Sequence, residues 1–184
     1  MLRQRNTRAE RPSCCAKVLG YIGPMFEVLV FVYENYWRGD ECPELHQLGR
    51  KLSAHGFEAD EIQQALAWLD GLNFAARSTR DISADPASTT AAQSAGSLRV
   101  YSAAEQDHLG AACLGFISFL ESAGVLPPSL REIVVDRAMA VPGDPVTLDD
   151  LKIIVLMVYW SMGQEPDALI LDELCDDTSG RLPH

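Results

Sequence analysis

Between residues 43 and 74 the apolar positions recur three or four apart. Leu45, Leu48 and Leu52 mark one face, and Ile62, Leu66, Leu69 and Leu72 mark another. That spacing is the helical period, not the alternation of a strand. It predicts two amphipathic helices separated by a Gly56-Phe57 turn. Gly56 can take the left-handed conformation that stops the first helix. Phe57 precedes a cap at Glu58, and Glu58, Asp60 and Glu61 crowd the next helix's first turn, where its dipole favours negative charge. The pair reads as a helix-turn-helix, a shape used for DNA and for protein contacts alike.

Upstream, the run from Met25 to Trp37 is apolar on almost every side. Its β-branched and aromatic residues favour a strand on propensity. Its length and the spacing of Phe26, Leu29, Val30, Tyr33 and Trp37 predict a buried helix, ended by Arg38-Gly39-Asp40. Residues 25–75 therefore form a first three-helix unit. Residues 76–97 are small or polar, carry no apolar face and read as a flexible linker. The linker extends through residue 101, because Leu98 to Tyr101 alternates as one short strand, a wing remnant without an identified partner.

The second half repeats the helical pattern. Ser102 and Glu105 form a capping box ahead of Leu109, Ala112, Cys113, Phe116, Ile117 and Leu120, with Gly124 as the stop. Ser129 and Glu132 repeat the signal ahead of Leu130, Ile133, Val134 and Ala138. Thr147 caps a helix that is apolar on most sides and belongs at the centre of its unit. A short helix over 167–175 completes a second unit spanning 102–175, and 176–184 is an acidic tail. The fold class is all-α, two three-helix units on a linker, the first resembling a helix-turn-helix or winged-helix core.

Charge changes this picture. The chain of 184 residues carries a formal net charge of −11. Residues 1–24 run the other way, with Arg3, Arg5, Arg8, Arg11 and Lys17 against Glu10, so the body is more acidic than the total. Such a body repels phosphate and anionic lipid and suits basic protein partners. The basic stretch has no apolar core of a signal peptide; a start placed too far upstream and a functional arm both stay open. No apolar run approaches the roughly 20 residues of a membrane span. Five cysteines with no repeated spacing indicate a reduced, cytoplasmic chain.

The blocks MFEVLVFVYENYW, KLSAHGFEADEIQQALAWLDGL, SLRVYSAAE and LDDLKIIVLMVYW, in that order, resemble the bacterial Smg family over about residues 25–175. Members generally begin at the position of Met25. Their genes often neighbour those for a DprA-type DNA-processing protein and topoisomerase I. The resemblance thus implies a bacterial cytosolic protein with a tie to DNA metabolism, and no catalytic motif to carry over.

Candidate chemistry is sparse. The outward side chains of the second helix of the turn are Asp60, Glu61, Gln63, Gln64, Ala67 and Asp70. Glutamine can read adenine, but the carboxylates face a polyanion. Residues 25–75 hold only Arg38, Arg50 and Lys51 against nine acids, which disfavours direct DNA binding unless the basic arm supplies the contacts. Cys42, His46 and His55 lack the paired cysteines of a structural zinc site. Cys113 falls on an apolar stripe, Ser118 has no nucleophile-elbow setting, and Asp107 and His108 are helix neighbours that do not face each other. Asp149-Asp150 reads as a helix N-terminus.

These readings predict a non-catalytic acidic adaptor without cofactor, metal or small-molecule ligand. Its expected partner is a protein, such as a basic DNA-processing or topoisomerase-type enzyme. The alternative is a winged-helix-type nucleic-acid-binding module. The candidate contact residues are Glu61, Gln64, Asp70 and Trp68, which lies beside the apolar stripe as either core or exposed anchor. The acidic C-terminus, with Glu165, Asp167, Asp172, Glu173, Asp176 and Asp177 against Arg181, is a solvating tail or an electrostatic hook.

Overall fold

The computed structural model describes residues 23–36, 43–84, 98–143 and 145–164, with backbone alone for 81–84. Residues 1–22, the 38–40 stop, the 85–97 stretch, the 167–175 helix and the acidic tail lie outside the described residues. Among the described residues six helices occur, in the order α1 (Pro24–Tyr36), α2 (Leu45–His55), α3 (Ala59–Ala84), α4 (Ala103–Ser122), α5 (Pro128–Met139) and α6 (Leu148–Met162). Among the described residues there is no strand, so the fold is all-α.

The α2–α3 turn forms as its residues dictate. Gly56 takes φ 96° and ψ 10°, and the Gly56 and Phe57 amides donate to the Ser53 and Leu52 carbonyls. This closes the end of α2. The Glu61 carboxylate accepts the Glu58 N–H at 3.1 Å and satisfies an orphan donor at the start of α3. Capping boxes at Ser102 and Thr147 open α4 and α6. At α5 the expectation needs correcting: the cap is Pro127, with Pro128 in the first turn and no side-chain cap bond. Proline fits there because its missing N–H would have been unpaired anyway.

Two elements depart from the expected layout. α3 continues to Ala84, so residues 76–84 of the expected linker are helical. Ser78 and Thr79 donate their hydroxyls to the Phe74 and Ala75 carbonyls one turn back, each at 3.0 Å. Arg80 ties the same stretch to α6 by donating to the Ser161 carbonyl. The segment Leu98–Tyr101 is not a strand. Arg99 holds it down, reaching both Glu105 oxygens at 2.7 and 2.8 Å and Glu132 at 3.1 Å, with its guanidinium 4.5 Å from the Tyr101 ring centroid.

α6 sets the packing. Every residue from Asp150 to Tyr159 is buried, and the helix contacts α1, α3, α4 and α5. One hydrophobic cluster consequently runs from Met25 on α1 through Leu52, Leu69 and Leu120 to Tyr159. The two expected units share this core. α4 breaks at Gly110, where φ 66° and ψ 172° leave the helical region. There the His108 carbonyl accepts the Val146 N–H at 2.9 Å. Leu109, Cys113, Phe116, Ile117 and Leu120 form the buried stripe of α4, while Ala112, expected on it, is exposed.

Two outcomes follow for stability. The Gly110 conformation is essentially closed to other residues, although nothing lies within 4 Å of an added Cβ. Gly110→Ala should therefore cost about 1–3 kcal/mol through backbone strain alone, read by urea denaturation; an unchanged midpoint would refute it. Hydrogen bonds from Arg99 hold the Glu105 carboxyl at about 2 against an ordinary 4.5. A carboxyl depressed by folding stabilises above its unfolded value and loses that contribution as pH falls. Glu105→Gln should flatten the fall in stability between pH 4.5 and about 2.

Candidate protein-contact face

α3 has one buried side and one exposed side. Its inner stripe, Ile62, Ala65, Leu69, Leu72 and Ala76, enters the core. Its outer side carries Gln63, Gln64, Ala67, Asp70, Phe74 and Arg77, all exposed. Phe74 is 76% exposed, unusual for a side chain that gains so much from burial. It lies two residues beyond Leu72, about 200° around the helix and so opposite the inner stripe.

Phe74 stands on a ridge between two clefts. One, of about 600 Å³, runs between α3 and α5 and is lined by Asp70, Gly71, Ala75, Ile133 and Arg137 among others. The other, of about 630 Å³, lies toward the start of α2 and is lined by Glu44, His46, Asn73, Arg77 and Trp160. Asp70 and Phe74 border both.

Beside the first cleft, α3 and α5 are joined by a buried side chain. Trp68 is 3% exposed, and its indole N–H donates to the Arg137 carbonyl at 2.9 Å. The Arg137 guanidinium lies over Gly71, where an added Cβ would meet Nη1 at 1.9 Å. A side chain at position 71 would have to displace that guanidinium. Asp136 accepts from Arg137 at 2.7 and 2.9 Å. Glu132 accepts from Arg99 and from Arg131, whose Nε lies 2.9 Å away. Burial alone would raise the Glu132 carboxyl, and these two guanidinium contacts outweigh it and lower it. The cleft's acids other than Asp70 are thus held by arginines.

The predicted contact residues separate accordingly. Asp70 is exposed and central to the face. Gln64 is exposed on α3 and borders neither cleft. Glu61 is half-buried and occupied as a helix cap. Trp68 resolves to core, because its ring fills the α3–α5 contact and its one polar atom is satisfied there. Phe74 is the residue that sequence reading missed. A large aromatic opposite an apolar stripe was the available signal.

Among the described residues other chemistry does not assemble. Burial pushes the Cys113 thiol up to about 11, with the Asp150 charge adding to it, and the thiol sits 3.4 Å from the Val146 carbonyl. A thiol so raised is a poor nucleophile. Among the described residues no group of three or more His, Cys, Asp or Glu is placed to hold a metal ion. No described helix is long and apolar enough to cross a membrane.

A profile for the family described as "Protein of unknown function (DUF494)" matches residues 25–184. Curated relatives named "Protein Smg homolog" align over 160 residues, 87% of this chain and all of their own length. The identities are 64% for Leptothrix cholodnii, 60% for Methylibium petroleiphilum and 48% for Bordetella avium. The chain belongs to the Smg family. The resemblance read from the four sequence blocks is thereby met, and the α3 face lies within the matched span. No solved structure matches this family member.

Trp68 and Phe74 should behave oppositely on substitution. Trp68→Phe removes a buried hydrogen bond and part of a packed ring, costing about 1–3 kcal/mol in thermal or urea unfolding. Phe74→Ala removes an exposed ring and favours the helix, so stability should hold or rise by about 0.5 kcal/mol. Equal losses in both would place Phe74 in the core and remove the contact face.

Proposed function

We propose that this Smg-family chain is a non-catalytic adaptor that works by holding other protein chains, with the outer face of α3 as a contact surface. One observation carries the reading: Phe74 is exposed on a ridge between two clefts, with Asp70 bordering both. An aromatic anchor beside a concave, partly polar surface is the composition of an interface centre. The net charge of −11 favours basic proteins among the chains it holds. A DNA-processing or topoisomerase-type enzyme suits both that charge and the resemblance to Smg. The nucleic-acid-binding alternative gains nothing comparable, since Asp70 and Arg77 cancel on the outer α3 face and leave no surplus of positive charge for phosphate.

A photoreactive benzoylphenylalanine at position 74 of the full chain tests the reading, with Ala111, exposed on α4, as the control position. Irradiation in native extract, followed by mass spectrometry, should give protein adducts at 74 that are missing at 111. The expected adducts are basic proteins or the chain itself. Equal, background-level labelling at both positions would overturn the contact-face reading.

A further inference from the structure

The outer α3 stripe has a symmetry of its own. Asp70 stands four residues before Phe74 and Arg77 three residues after it, all three exposed. Among the described residues neither Asp70 nor Arg77 takes part in an ion pair. We infer that this stripe pairs with the same stripe of a second copy, α3 against α3 in antiparallel, about a two-fold axis at Phe74. The inference rests on the reading of this face as a contact surface and assigns its occupant.

In an antiparallel pair centred on residue 74, a residue four before the centre faces one four after it. Asp70 of one copy then comes within one residue, about 1.5 Å of rise, of Arg77 in the other. The two-fold makes that contact twice, with opposite charges meeting each time, which an isologous interface requires. At the centre, Phe74 of each copy is offered the cleft of Gly71, Ala75 and Ile133 beside the other's α3. Within that cleft the Arg137 guanidinium covers Gly71.

Overall charge makes the placement specific. Two chains of −11 repel, so a stable approach needs a face where charge cancels locally. Asp70 and Arg77 cancel on this stripe. Glu132 and Asp136 at its border are held by arginines of their own chain. The acidic surface elsewhere stays free for basic partners, and a paired molecule would present it twice.

Charge exchange tests the pairing. Sedimentation of the full chain over a dilution series should show a monomer–dimer equilibrium. Asp70→Arg leaves two arginines on the stripe, and Arg77→Asp leaves two aspartates. Each should weaken self-association by about tenfold or more, while circular dichroism stays unchanged. Mixed one to one, the two variants should associate as the natural chain does, because every facing pair is again opposite in sign. Phe74→Ala should weaken association in every background.

A natural chain monomeric throughout would overturn the pairing, as would variants that associate undiminished or a mixture that stays monomeric. Crosslinks from position 74 to a different protein, with a monomeric chain, would refute self-pairing and leave the contact face standing. Neither adducts nor self-association would remove both.

Discussion

A helix that is apolar on all sides has to be surrounded, and α6 imposes that requirement on this molecule. From Asp150 to Tyr159 it has no solvent face, and a single three-helix unit could not cover it. Removing apolar surface from water stabilises by about 25 cal/mol per Å², so helices from both halves of the chain gain by closing over it. α1 and α3 cover one side, α4 and α5 the other. Even Lys152 is taken in, with its ammonium 6.0 Å from the Phe116 ring centroid. The position of α3, and hence of its outer face, follows from this enclosure.

Much of the helical plan was legible because it depends on local rules. Gly56, Ser102 and Thr147 act through residues within one turn of themselves, and their caps appear where the spacing places them. The features that escaped depend on distant partners. Residues 77–84 carry no apolar stripe, yet they continue α3, where Arg80 donates to the Ser161 carbonyl, 81 residues away. The Gly110 break is stabilised by a bond to Val146, 36 residues on, and a lone glycine in a helical pattern does not announce it.

The contact face was half legible for the same reason. Asp70 follows from helical phase alone. Trp68 could be settled only by the α5 carbonyl waiting for its indole N–H. Leu98 and Val100, exposed on either side of Arg99, alternate as a strand would. The alternation arises because Arg99 is drawn inward to Glu105 and Glu132 while its neighbours turn out. A period of two can thus report one anchored side chain and not a sheet.

The bond from Val146 N–H to the His108 carbonyl joins the first half of α4, just before its break at Gly110, to the residue immediately before the Thr147 cap. The start of the central helix is therefore clamped to a break in another. Opening either one exposes the other, so the two cannot fray independently as helix ends usually do. In hydrogen exchange this makes the Val146 amide a reporter of cooperative unfolding, protected to the same free energy as the core although it lies outside any helix.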